Sequence, residues 1–238
     1  MLEAVLAAIR EAAPQRVVVF TGAGVSAESG IPTFRGAGGL WRNFRSEDLA
    51  TPQAFARDPK LVWEWYEWRR GLVREAQPNA AHEAIARLSD AVVVTQNVDG
   101  LHARAGSRDV IELHGNLFRT RCVQEGDVRQ AYAPFPSVPP RCRCGAPLRP
   151  DVVWFGEMLP EDAFGRAAEA IRGADLLLVI GTSGVVYPAA GLVALHRGVS
   201  IEINPQASGV SSACTFAIPQ TAAAATPPIV DVLLEVKR

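Results

Sequence analysis

The chain lacks any run of about 18 apolar residues, so no segment reads as a membrane-spanning helix. It also lacks a charge excess. Twenty-four Lys and Arg against 25 Asp and Glu leave a formal charge of −1, which gives no broad attraction to nucleic acid or to an anionic membrane surface. Cysteine is scarce, with four in the whole chain. The start of the chain, Met1 to Ala13, spaces Glu3, Arg10 and Glu11 through alanines, as an amphipathic helix does and a secretory signal does not. A disulfide framework is therefore not expected. The thiols read as metal ligands or packing in a reducing, cytoplasmic setting, and a monomer is expected. No internal repeat stands out, and Ala222–Ala225 is the one low-complexity tract.

What is present is enough for a core: 48% of 238 residues are apolar, which suits one sizeable α/β domain and a small accessory module. Short apolar runs at Val17–Phe20, Ala91–Thr95, Val110–Leu113, Leu176–Ile180, Val199–Ile203 and Cys214–Ile218 read as strands buried on both faces. Helical patterns at Leu2–Ala12, Leu61–Arg74, Ala80–Leu88, Glu161–Ile171, Ala189–His196 and Ile229–Val236 fall between or around them. This alternation predicts a Rossmann-like, doubly wound parallel sheet. Two segments break the rhythm: one rich in Trp and Arg, the other in Pro and Cys. The expected division is a sheet domain of residues 1–35, 76–118 and 151–238, with a small domain built from insertions 36–75 and 119–150.

The first strand runs into Thr21-Gly22-Ala23-Gly24-Val25-Ser26-Ala27, a G-x-G-x-x-A pattern. Gly22 suits a tight turn, Gly24 the close approach of a pyrophosphate, and the small Ala27 a closely packed helix whose first N–H groups would face phosphate oxygens. A ligand-free glycine turn gives the same pattern, so the loop alone is weak. A dehydrogenase would place a ribose-binding acid about 20 residues on, at a strand end. Glu47 and Asp48 lie near that interval without a strand, which argues against hydride transfer.

The loop continues as Glu28-Ser29-Gly30-Ile31-Pro32-Thr33-Phe34-Arg35. Farther on stand Thr95-Gln96-Asn97-Val98-Asp99-Gly100-Leu101-His102, Glu112-Leu113-His114-Gly115, Pro150–Glu157, Gly181-Thr182-Ser183 and Ile203-Asn204. Six blocks in this order, spanning residues 21 to about 205, closely resemble the sirtuin family. The resemblance implies an enzyme that consumes NAD and acts on acylated protein lysines. The acyl oxygen attacks C1′ of the nicotinamide ribose and nicotinamide leaves. A base then helps a ribose hydroxyl attack the imidate, and water completes release of lysine and O-acyl-ADP-ribose.

The same resemblance implies residue roles. His114, at a strand end, is the general base, as suits an imidazole that titrates near neutrality. Asn97 and Asp99 meet the nicotinamide ribose and carboxamide, with Gln96 beside them. Gly22, Ala23, Gly24, Ala27, Glu28, Thr33, Phe34, Arg35 and Trp41 belong to the first half of the NAD site. Phe34 shields the reacting ribose and Arg35 stabilises charge near the phosphates. Gly181, Thr182, Ser183 and Asn204 reach the adenosine half, and Ala222 lines the adenine pocket. Val153, Phe155, Gly156 and Glu157 belong to the edge that takes up the substrate peptide as an added strand. His102, one turn beyond Asp99, reads only as a helix-face residue.

Tyr66 and Arg69 are three apart on a helical pattern and so share a face. A guanidinium holds a carboxylate in a bidentate fork and a phenol adds a hydrogen bond. This pair, with Ala37 leaving room for a longer chain, resembles the sirtuin subgroup that removes succinyl, malonyl and related acidic acyl groups. An aromatic helix face with a surface arginine is the plainer alternative. The cysteines depart from the family's two close pairs. Cys122 is in place, Glu125 stands where a second cysteine is expected, and Cys142-Arg143-Cys144 is one residue too tight. Cys122, Cys142 and Cys144 with Glu125 or water can hold zinc, and a metal-free module braced by prolines stands beside that reading. Cys214 reads as a core residue within a strand. Two rival functions remain: a mono-ADP-ribosyltransferase using the same C1′ chemistry, and a non-catalytic NAD-binding module.

Overall fold

A computed structural model describes residues 1–33 and 45–237. The alternating apolar runs form a six-stranded parallel sheet: β1 (Val17–Thr21), β2 (Val92–Thr95), β3 (Asp109–Glu112), β7 (Leu176–Ile180), β8 (Val199–Ile203) and β9 (Phe216–Ile218), in the order β3-β2-β1-β7-β8-β9. The order reverses beside β1, so the crevice outside its C-terminal end is the switch point at which ligands of such sheets bind. A second, antiparallel sheet has the order β5-β4-β6, from β4 (Gly115–Cys122), β5 (Val128–Gln130) and β6 (Leu148–Val152).

Period-two side-chain direction explains why the sheet strands are apolar throughout. Val17 and Val19 of β1 face a layer made by α1 (Leu2–Ala12), α5 (Ala80–Ala86) and α8 (Ala222–Val236), packing with Ile9, Ile85, Ile229 and Leu233. Val18 and Phe20 face the other layer, with Ile171 of α7 (Glu161–Gly173) and Leu192 of a 3-10 helix, Ala189–Leu195. A third apolar cluster lies under the small sheet. It joins α3 (Pro52–Arg57) and α4 (Pro59–Glu75) to β4 and β6 through Phe55, Trp63, Tyr66, Leu117 and Trp154. Two caps turn the chain into these helices: Thr51 Oγ1 accepts from Ala54 N (3.0 Å), and Asp58 Oδ1 accepts from Leu61 N (2.9 Å), each followed by proline at the first helical position.

Four expectations need correction. The stretch after Pro188 is a 3-10 helix where an α-helix was expected. The last strand begins at Phe216, and Cys214 lies before it, half-buried, after the 3-10 turn Ser211–Ala213. The last helix starts at Ala222 and contains Pro227 and Pro228. Those prolines remove two backbone donors, yet burial of Ala225, Ile229, Val230 and Leu233 against α1 and α5 keeps the helix. The segment after Gly22 is a 3-10 helix (Ala23–Ser29) in which Ala27 is exposed, so the close packing expected of Ala27 is made by Val25 and Ser26. Among the described residues, no helix is long and apolar enough to cross a membrane.

Candidate active site

The C-terminal ends of the parallel strands bring the separate motifs to one edge. Gly22 follows β1, Gln96 and Asn97 follow β2, His114 follows β3, Gly181 to Ser183 follow β7, and Asn204 follows β8. The glycines are explained first by each other. A Cβ on Gly24 would sit 2.7 Å from Gly181 Cα, and one on Gly22 would sit 2.9 Å from Gly181 O. Gly181 itself has φ +63°, and its Cβ would lie 2.3 Å from Val25 N. The two loops therefore close against one another only because all three positions lack a side chain. Side chains then tie the edge together: Gln96 Nε2 donates to Thr182 Oγ1 (3.0 Å) and Asn204 Nδ2 donates to Thr182 O (2.8 Å).

His114 is held by one ring nitrogen. Its Nδ1–H donates to Gln96 O at 3.0 Å, which leaves the Nε2 lone pair as an acceptor. Burial pulls its pKa below the usual imidazole value, and the bond to Gln96 opposes that pull in part. The ring is therefore neutral, and able to take a proton, at pH 7. On the backbone side, His114 O accepts from Val153 N (2.9 Å), which fastens the expected peptide edge to the base.

Asn97 and Asp99 are buried and linked through a residue that motif reading passed over. Ser26 Oγ donates to Asp99 Oδ2 (2.8 Å) and accepts from Asn97 Nδ2 (3.1 Å). Asp99 Oδ1 accepts from Leu101 N (2.9 Å) at the start of α6 (Leu101–Ala105). Burial raises the Asp99 pKa, and the bonds from Leu101 and Ser26, with Arg69 and Arg104 nearby, counter it. His82 Nε2 lies 3.4 Å from Ser26 Oγ, and its Nδ1 accepts from Asn79 N (3.3 Å) within a capping box.

His102 lies on α6 and is 2% exposed: its ring centroid is 4.8 Å from that of His82, and Nε2 lies 3.0 Å from Thr21 Oγ1. Thr21 Oγ1 in turn donates to Thr95 Oγ1 (2.8 Å), which accepts from Asn97 N (3.0 Å). Burial lowers His82 to about 4, and burial together with His82's charge lowers His102 to about 3. Both are neutral supports beneath the site. The available signal was a histidine at an inward position of each apolar helix pattern.

Of the other expected NAD residues, Ala23 begins the 3-10 helix, and the carboxylate of Glu28 accepts from Ala223 N (2.8 Å), capping α8. Thr33 is half-buried at the end of the described loop, Ser183 is exposed, and Ala222 is buried at the first turn of α8. Phe34, Arg35, Ala37 and Trp41 lie outside the described residues. On α4, Tyr66 and Arg69 are both buried, at 1% and 5% exposure. The Arg69 guanidinium stacks 4.7 Å from the Trp65 ring and 5.5 Å from the Tyr66 ring. Burial works against its charge, while Tyr66 and Asp99 support it. Tyr66 Oη accepts from Trp154 Nε1 (2.9 Å), and burial raises the phenol's pKa, so it stays protonated. Phe155 is half exposed and its N–H donates to Ala50 O (2.9 Å); Gly156 has φ +87°; Glu157 pairs with Arg149 and accepts from Trp154 N (2.8 Å).

The cysteine module brings Cys122, Glu125, Cys142 and Cys144 together, with one ligand atom from each within 4.8 Å of the others. Cys122 Sγ lies 3.6 Å from Cys144 Sγ, and Cys142 Sγ lies 3.4 Å from Glu125 Oε2. Zinc–sulfur bonds of about 2.3 Å in a tetrahedron put sulfurs about 3.8 Å apart, so the donor set fits zinc, and the tight Cys142–Cys144 spacing does not prevent convergence.

These features define a Rossmann-like α/β protein whose glycine loops meet at the switch point with a neutral histidine beside them. The Sir2 family model matches residues 22–188. An NAD-dependent protein deacylase of Aquifex aeolicus is 51% identical over 228 residues, covering 92% of this chain and 95% of that protein. A mutant Sir2 homologue solved with ADP-ribose superposes with a TM-score of 0.93 at 46% identity, covering 100% of this chain and 98% of that one. A Sir2 homologue solved with NAD gives 0.91 at 46% identity, covering 99% and 95%. The chain belongs to the Sir2 family, the sirtuins. It is an enzyme that uses NAD as its co-substrate.

Proposed function

We propose that this sirtuin removes succinyl and malonyl groups, and acetyl groups less selectively, from protein lysines, yielding nicotinamide and O-acyl-ADP-ribose. The observation that carries the acyl preference is a guanidinium, Arg69, buried beside the protonated phenol of Tyr66 on one face of α4. A neutral acyl chain gains nothing from a cation in its pocket, whereas a carboxylate forms charge-assisted hydrogen bonds with one. A charged hydrogen bond contributes roughly 1.5–3 kcal/mol, so the pair favours succinyl-lysine over acetyl-lysine by one to two decades.

Bound NAD supplies the ribose C1′ at which nicotinamide is the leaving group. The protein's own part follows from the contacts above. His114, fixed through Nδ1, accepts a ribose hydroxyl proton at Nε2. Ser26 holds Asn97 and Asp99 in one arrangement toward the nicotinamide half, and the loops around Gly22, Gly24 and Gly181, with Thr182 and Asn204, form the floor for the rest. Residues 153–157 receive the substrate backbone. Cys122, Glu125, Cys142 and Cys144 hold zinc, which braces the small domain and takes no part in the reaction.

The test is NAD-dependent release of nicotinamide from matched succinyl- and acetyl-lysine peptides by wild type, Arg69→Met and His114→Ala. Expected are a succinyl preference in wild type, its loss in Arg69→Met, and inactivity of His114→Ala on both. An acetyl preference untouched by Arg69→Met would sink the acyl assignment. An ADP-ribosylated peptide in place of O-acyl-ADP-ribose would sink the deacylase assignment.

A further inference from the structure

Trp154 is buried in a block whose expected part is only to present backbone to the substrate, yet its side chain reaches the Tyr66 hydroxyl. Its indole Nε1–H donates to Tyr66 Oη at 2.9 Å, across 88 residues of sequence, with Trp154 3% and Tyr66 1% exposed. A phenol oxygen carries one proton and accepts in the ring plane. An indole N–H cannot accept, so its bond to Oη leaves the phenol's only proton on the side away from Trp154. Two contacts hold the indole ring, and two more hold the residues around it. The Arg149 guanidinium lies 3.5 Å from its ring centroid, Phe55 packs at 5.3 Å, Glu157 accepts from its backbone N–H at 2.8 Å, and Arg149 and Glu157 pair with each other. The preceding residue, Val153, donates its N–H to His114 O. Two consecutive residues thus join the base, the peptide edge and the phenol.

We infer that Trp154 is a positioning residue for acyl selectivity: its N–H orients the Tyr66 hydroxyl as a donor toward the acyl carboxylate, in register with the peptide edge and His114. This rests on the acidic-acyl reading of Tyr66 and Arg69. Without the indole donor the hydroxyl is free to rotate, and its bond to a carboxylate carries an ordering cost that the wild type has already met.

The test is a double-mutant cycle read as the ratio of succinyl to acetyl kcat/KM. Trp154→Phe keeps an aromatic ring and removes the donor; it is expected to lower the ratio roughly fivefold to tenfold, the scale of one hydrogen bond. Tyr66→Phe is expected to lower it by at least as much, and the double variant no further than Tyr66→Phe alone. A Trp154→Phe ratio equal to wild type, or additive losses in the double variant, would overturn the inference, since an effect through folding or the peptide edge alone moves both substrates together. If wild type shows no succinyl preference, the underlying acyl assignment fails instead. Should Trp154→Phe not fold, the indole N–H resonances of 15N-labelled protein serve. The Trp154 signal is expected to move in Tyr66→Phe and on adding succinyl peptide, and to stay in place with acetyl peptide. A Trp154 signal indifferent to both changes would overturn the inference.

Discussion

The edge of the parallel sheet and the small antiparallel sheet bury polar groups by opposite means. At the sheet edge the buried groups are mostly neutral and linked in chains: His102 to Thr21 to Thr95 to the Asn97 backbone, and His82 to Ser26 to Asp99. In the small sheet the part-buried groups are ion-paired: Arg119 with Glu112 and with the buried Asp151, which the exposed Arg121 also reaches, and Arg149 with Glu157. The difference suits what each must do. A site for a dinucleotide needs donors and acceptors whose own charges do not compete with phosphate and reacting ribose, whereas the small sheet adds directional charge pairs to the apolar cluster beneath it. The first design is sensitive to pH and to backbone space, the second to loss of a charged partner.

The largest expected effect attacks backbone space. Gly181→Ala places a Cβ 2.3 Å from Val25 N at φ +63°. Neither backbone can give without separating β1 from β7, so a loss of about 4 kcal/mol or more is expected in urea unfolding, with NAD binding lost in any folded fraction. A variant with unchanged stability would show that the loops are not locked together as described.

Next comes Arg70, adjacent to Arg69 on α4 but turned to residues 131–133. It is fully buried, donates to the carbonyls of Ala131 and Ala133, and pairs with Glu67 at 2.9 Å. Arg70→Met leaves two carbonyls without this donor and Glu67 with Arg74 alone, and about 3–5 kcal/mol of destabilisation is expected. Removing an exposed partner, as in Arg129→Ala, is expected to change stability by less than about 0.5 kcal/mol. Equal effects from the two would contradict the description of Arg70 as the link between α4 and residues 131–133.

The pH response separates the two regions more finely. His82 and His102 have folded values below that of free imidazole, so below about pH 6.5 the unfolded chain takes up protons that the folded chain does not. Their stabilisation is complete above about pH 7 and is lost as pH falls toward 4, at about 2 kcal/mol per ring by pH 5. Asp99, reached through Ser26, is raised by burial and softens the slope at the acid end. Denaturant unfolding at pH 7 and pH 5 should show the loss in wild type at low and high salt alike. His82→Asn should show a smaller one. A salt-dependent slope would move its origin to the ion pairs. Activity should persist below pH 6.5 in the folded protein, because burial also lowers the pKa of His114.

Much of this was legible in the sequence where each residue's role depends on near neighbours. The parallel strands are short runs of Val, Leu and Ile because both faces are covered, and the motifs at their ends carry the site. The rest depends on partners far along the chain. β4 (Gly-Asn-Leu-Phe-Arg-Thr-Arg-Cys) and β6, with Arg149 and Pro150 inside it, carry no continuous apolar signal, and they pair only once the insertion closes on itself. Pro227 and Pro228 hid the first half of α8. His102 read only as a helix-face residue because the sequence does not show that Thr21 and His82 meet it. Spacing from Tyr66 singles out Arg69 in the sequence, but the part of Arg70 follows only from the rotation of α4 that turns it toward residues 131–133.

The smallest effect on catalysis is expected at the metal set, where the comparison sharpens. Glu125 supplies an oxygen among three sulfurs, so Glu125→Cys converts the set to four thiolates, which bind zinc more tightly. Competition with a chromophoric chelator should show slower and weaker zinc loss in Glu125→Cys, with one zinc per chain in both proteins. Thermal stability should rise modestly, by no more than a few degrees, since tighter zinc binding to the folded module would stabilise it. kcat on either acyl peptide should stay within about twofold, because His114, Asn97 and Asp99 draw their hydrogen bonds from the parallel-sheet region and none from the cysteine module. A large change in kcat would mean that the two regions are coupled through β4, whose first residue follows His114 and whose last is Cys122. The separation of a neutral catalytic edge from a charged structural module would then have to be given up.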